Sequence, residues 1–87
     1  MNQSVLFPDL QDWNDTKQEV VFPAQVQGAN IQCRISLPRL TKLHGEELTG
    51  EVEVLAAFEV CRFDIEDYFE ELIEQEMFDE DGGVSWC

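Results

Sequence analysis

The chain has 87 residues, room for one hydrophobic core that buries only roughly 60 to 65 % of the unfolded surface. Nineteen Asp and Glu against five Lys and Arg give a net charge of −14, which excludes general binding to nucleic-acid backbones and opposes adsorption to an anionic membrane. With 44 % apolar residues, among them six Phe and two Trp, the composition is too rich for an acidic disordered tail, so one folded domain over residues 1–87 is expected.

Cys33, Cys61 and Cys87 form no CxxC or CxxH spacing, and so sparse and odd a set fits a reducing compartment better than a disulfide framework. The first residues show neither a basic n-region nor an apolar run of signal-peptide length, and no apolar stretch approaches the ~18 residues of a membrane span. A cytoplasmic location is expected. Charge is unevenly placed: residues 1–45 balance Asp9, Asp12, Asp15 and Glu19 with Lys17, Arg34, Arg39 and Lys42, whereas all the remaining acids lie between 46 and 81 with Arg62 as their only base.

In chain order, Ser4 to Phe7 is short and β-leaning and is taken as a strand, while Trp13 lies in a polar, turn-like segment and is expected to fold over a sheet edge. Residues 19–37 predict a hairpin. Val20, Phe22, Ala24 and Val26 alternate with polar positions, as do Ala29, Ile31, Cys33, Ile35 and Leu37. With Gln27-Gly28 as a two-residue turn, Val26 faces Ala29, Ala24 faces Ile31, Phe22 faces Cys33 and Val20 faces Ile35, so the apolar side chains share one face. Pro23 then opposes Gln32 as a non-hydrogen-bonded pair, and its missing N–H is turned toward the other neighbour of that strand.

A short helix over Leu37 to His44 tolerates Pro38 in its first turn. From Thr49, a candidate N-cap, the period becomes helical, with Val52, Leu55, Phe58, Ile65, Phe69, Leu72, Ile73 and Met77 on one arc about Arg62. One long helix over about 50–78 is predicted, with Gly82-Gly83 as its stop. At ~1.5 Å per residue it would outrun so small a globule, which predicts a bend, an early end or an overhang. Gly83 to Trp86 reads as a last short strand. The expected fold is α+β: a small antiparallel sheet, its apolar face covered by the long C-terminal helix with the short helix before it.

The residues Met1-Asn2-Gln3-Ser4 with Phe7, Trp13, Val21-Phe22-Pro23-Ala24 through Gly28 to Cys33 and Ile35, then Phe58-x-x-x-Arg62-Phe63-Asp64-Ile65-Glu66 and Leu72-Ile73, resemble the small proteobacterial proteins grouped as domain of unknown function 1488. The resemblance runs nearly end to end and rests on structural positions. It implies an α+β fold and a bacterial cytosolic origin, with no activity, substrate or cofactor. Phe69 departs from it, standing where the family carries a small residue.

No catalytic, cofactor-binding or metal-binding set emerges. His44 is the single histidine, with only Glu46 and Glu47 nearby, and is expected to pack as a surface residue. The run from Glu74 to Gly82 lacks the ligand pattern of a calcium loop and reads as solvated charge. No GxGxxG, P-loop or nucleophile elbow is present. Glu66-Glu70, Asp67-Glu71 and Glu70-Glu74 are i,i+4 pairs that repel by a few tenths of a kcal/mol each, a repulsion that a basic protein partner would relieve.

Arg62 falls among apolar positions and must be paired or solvated. Glu59 or Glu66 is its expected partner, and an anion site in a pocket between helix and sheet is the alternative role. Ala56, Val60 and Phe63 lie outside the core arc, bordered by Glu53, Asp64, Asp67 and Glu71. With Asp67, Glu70, Glu71 and Glu74, Val60 and Phe63 form the candidate partner surface, to be covered by a basic partner, by a second copy in a homodimer, or by Trp13 of the same chain. A non-enzymatic interaction or regulatory module is the favoured function, and a small ligand-binding protein or enzyme built around Arg62 is the alternative.

Overall fold

The computed structural model describes residues 5–87, so Ser4 of the predicted first strand lies outside the described residues. Around the central turn, Gln27 and Gly28 both take positive φ, 52° and 82°, the mirror-image turn that matches the twist of two antiparallel strands. This joins β3 (Glu19–Val26) to β4 (Ala29–Ser36), with Val20 opposite Ile35, Phe22 opposite Cys33 and Pro23 opposite Gln32, the register expected from the alternation. Leu37 opens the next helix instead of closing the strand.

The other side of β3 shows the effect of Pro23. β1 (Val5–Leu6) pairs with Gln25 and Val26, and β2 (Asp12–Asn14) pairs with Glu19 to Val21, leaving Phe22 to Ala24 unpaired on that edge. A proline there has no N–H to offer a neighbour, so the edge is covered by two short strands in place of one. The second of these carries Trp13 in a segment whose sequence is turn-like, because Asp12 and Asn14 are poor strand formers; the pairing with Glu19 to Val21 makes it a strand.

α1 (Leu37–His44) follows at once. The Ser36 hydroxyl accepts from the Arg39 N–H at 3.2 Å, Pro38 occupies the first turn, and Gly45 closes the helix at φ 92° with its N–H on the Thr41 carbonyl. Where one long helix was predicted there are two, α2 (Gly50–Val60) and α3 (Arg62–Glu74), separated at Cys61 with φ −93° and ψ 9°. The buried residues give the reason. α2 buries Val54, Ala57 and Phe58, and α3 buries Ile65, Phe69 and Ile73. On an ideal wheel these two stripes differ by roughly 70°, so a straight helix could not turn both toward the sheet. Val52 and Met77, assigned to the core arc, are exposed, and Leu55 and Leu72 are half-buried.

α3 also ends before residue 78. The Met77 N–H reaches the Leu72 carbonyl at 2.9 Å and the Glu76 N–H that of Ile73 at 3.0 Å, the bonding of a Schellman motif, with Glu76 at φ 57° in the position glycine favours. Glu76→Gly is therefore expected to stabilise the protein by about 1 kcal/mol, read as an increased urea midpoint, since it removes the left-handed Cβ penalty. An unchanged or lower midpoint would mean that the turn is not held in this conformation in solution.

β5 (Val84–Trp86) lies parallel to β4, with Cys33 opposite Val84 and Ile35 opposite Trp86. The sheet is thus mixed, a correction to the all-antiparallel expectation. Between β4 and β5 the chain runs through all three helices, the crossover that a parallel pair requires. At the entry to β5 a Cβ on Gly83 would lie 2.6 Å from the Gln32 carbonyl oxygen, so glycine is needed for the approach. The core joins Val20, Phe22, Ala24, Cys33, Ile35 and Val84 of the sheet to Leu40 and the buried stripes of α2 and α3. Phe69, which the resemblance marks as a departure, is fully buried with its ring edge-on to Phe22 at 5.0 Å.

Candidate functional site

Arg62 opens α3 beside the break, where its side chain leaves the core arc and reaches the connection between β1 and β2. Its Nε donates to Glu66 Oε2 at 2.7 Å, Nη1 to Gln11 Oε1 at 2.8 Å, and Nη2 to the Pro8 carbonyl at 2.8 Å. Glu59 Oε2 and Asp9 Oδ1 lie 3.3 and 3.7 Å from Nη1, and Phe58 presents its ring 5.3 Å from the guanidinium carbon. Gln11 completes the knot by donating to Glu59 at 2.7 Å. A guanidinium so occupied has little capacity left for a ligand anion. Glu59 and Glu66 stand one turn away in sequence and were readable as partners. Pro8 and Gln11 were not, because a backbone carbonyl and a glutamine more than 50 residues away carry no charge signal.

The outward side of α2 and α3 is different in kind. Val60 and Phe63 are 75 % and 85 % exposed, and Val52 extends their stripe at 83 %. Asp67, Glu71 and Glu74 continue along the same side, also exposed, with Glu70 half-buried beside them. Among the described residues no Lys, Arg or His lies within ion-pair distance of these four acids. Trp13 does not fold over Phe63: it pairs with Val20 in β2 and packs against the core, its indole N–H on Asp15 at 3.3 Å.

Some of the other acids are engaged within the fold. In the run after α3, Asp79 accepts from Arg34 at 3.1 Å and from the Ser85 hydroxyl at 2.6 Å, and Asp81 pairs with the same guanidinium. The Gly83 N–H, with Arg34 in support, holds the Asp81 carboxyl below its ordinary range. This run is therefore a clasp that fastens β5 to β4 and not free charge throughout. Arg39 donates to the Cys87 carbonyl at 3.1 and 3.2 Å and covers Trp86, which stacks on Tyr68 at 3.7 Å. His44 lines a groove with Glu46 and Glu47, but among the described residues no three His, Cys, Asp or Glu converge as a metal site.

The thiols differ sharply in environment. Burial pushes Cys33 up to about 12, and burial followed by the charge of Asp64 raises Cys61, while Cys87 is exposed. Iodoacetamide at pH 8 is expected to modify Cys87 rapidly and Cys33 only as fast as the protein unfolds, because the thiolate is the nucleophile. Mass spectrometry of tryptic peptides checks this, and equal rates at all three cysteines would contradict the buried positions.

Fold and site together define a small α+β protein with an acidic and apolar helix face. The chain belongs to the DUF1488 family, whose model, "Protein of unknown function (DUF1488)", matches residues 5–85. It is 38 % identical over 90 residues to the uncharacterized protein YrdB of Escherichia coli (strain K12), spanning 97 % of this chain and 96 % of that one. The uncharacterized YrdB of Shigella flexneri is 37 % identical over the same shares. The crystal structure of a DUF1488 protein of unknown function from Shewanella loihica PV-4 matches with a TM-score of 0.93 at 40 % identity, covering 98 % of this chain and 93 % of that one. The family resemblance read from the residues thus holds, its relatives are bacterial, and none of them brings a described activity. No helix among the described residues is long and apolar enough to cross a membrane.

Proposed function

We propose that the protein is a non-enzymatic interaction or regulatory module of the cytoplasm, which presents the outward side of α2 and α3 to a basic protein partner. The observation that carries this reading is Phe63, exposed by 85 % beside Val60 and continued by Asp67, Glu70, Glu71 and Glu74. An aromatic anchor flanked by unpaired charge of one sign is suited to a partner of the opposite sign, whose bases would also relieve the i,i+4 repulsion along α3. A second copy is the weaker candidate, because a twofold contact would set these acids against themselves. The three free thiols fit a reducing compartment.

Phe63→Ser is expected to leave folding stability within about 0.5 kcal/mol, because the side chain contributes little to the core. Light scattering of wild type and variant should give the monomer mass from low to high salt. Capture of a partner by the tagged wild type should be lost both at high salt and in Phe63→Ser. A dimer that strengthens with salt would replace the basic partner by a second copy, and capture indifferent to both changes would remove this surface from the function.

A further inference from the structure

We infer that the groove between the 45–49 connection and α2 seats an arginine or lysine side chain of the partner; this rests on the partner-binding role just proposed and says where the partner is gripped. The groove is open to solvent and offers about 400 Å³. Leu48, Ala56, Ala57 and Val60 line it with apolar surface, and His44, Glu46, Glu47 and Glu53 line it with polar groups. Glu53 Oε1 accepts from the Thr49 N–H at 2.8 Å, and none of the three glutamates has an ion-pair partner among the described residues.

The chemistry selects the occupant. A long basic side chain lays an apolar stem on apolar surface and keeps its charged head among acids and water, and this groove supplies both kinds of lining. A metal ion does not fit, since the acids do not converge. A free small amine would use the groove alone, but Val60 lines both the groove and the exposed stripe running to Phe63, so the complementary ligand is a segment bearing a base next to a large apolar residue. A second copy could offer only Lys17 or Lys42, because Arg34, Arg39 and Arg62 are all held within the chain, and its own acids would meet these at a twofold contact.

The test is a nitrogen-15 chemical-shift titration of the full chain with a synthetic amphipathic peptide carrying Arg and Leu one helical turn apart, beside a control peptide with Ser for Leu at equal charge. Shifts are expected to gather at residues 44–48 and 53–60. The control peptide, the double change Glu46→Gln with Glu47→Gln, and the groove-filling Ala56→Trp should each weaken binding by about fivefold or more. Ala56 is exposed, so the last variant should keep the fold, and the glutamine pair gives an independent reading if it does not. Shifts confined to residues 60–74 with the groove untouched would overturn this assignment and leave the partner surface standing. No localised shifts with either peptide would overturn both.

Discussion

Truncating Phe22 to alanine should remove about 3 to 5 kcal/mol of folding free energy, a large share of the roughly 5 to 15 kcal/mol that holds a domain together. The ring is 2 % exposed, with the rings of Phe58 and Phe69 each 5.0 Å away and that of Phe7 at 6.3 Å. It is where both parts of the broken helix and the N-terminal segment meet the sheet. The cavity left by its loss would be walled by three elements that cannot all move inward at once, so little of it would close. Urea denaturation checks this through a lower midpoint with the slope preserved. A loss below about 1 kcal/mol would mean that the aromatic cluster repacks freely.

Arg62→Ala is expected to cost about 2 to 3 kcal/mol, less than the roughly 3 to 5 kcal/mol for breaking a fully buried pair, because Glu59 and Asp9 are well exposed and screened. Arg62 itself is only 15 % exposed, and its contacts to Pro8 and Gln11 are what tie the β1–β2 connection to α3. The effect should therefore be uneven. Amide exchange should quicken over residues 9–13 before it does in the β3–β4 hairpin. Arg62→Lys should rescue poorly, since one ammonium cannot span Glu66, Gln11 and the Pro8 carbonyl together. A melt unchanged by Arg62→Ala, joined to loss of an anion that the wild type binds, would favour a ligand-holding role.

The hairpin register was legible because three local facts agree: a turn pair that tolerates positive φ, two alternating segments of equal length, and a proline whose missing donor faces outward. α1 was legible for a similar reason, with Ser36, Pro38 and Gly45 marking its ends. The break at Cys61 had no such marker, since cysteine neither lacks a donor nor relaxes the backbone. What divides α2 from α3 is a drift in the buried stripe, and a wheel centred on Arg62 conceals it: both stripes are centred to one side of that residue, whereas Val52 and Val54 stand about equally far from it on opposite sides and only Val54 is buried. The outer position of Val60 and Phe63 survived that error because both lie far from either stripe. The groove beside them did not show in the sequence, because it depends on where the 45–49 connection lies against α2.

The parallel pairing of β5 with β4 also sets an order of events. Arg34 and its partner Ser85 are 51 residues apart, whereas the hairpin and α1 close through contacts between near neighbours. Long-range closure is slow because chain entropy is lost before the contact forms. On the ribosome, β3, β4 and α1 can assemble while the residues that make β5 have yet to emerge. Until they do, β4 presents a bare row of N–H and C=O groups, the template on which unwanted strands add. The nascent chain is thus most prone to aggregate in the interval between the formation of its hairpin and the arrival of residues 84–86.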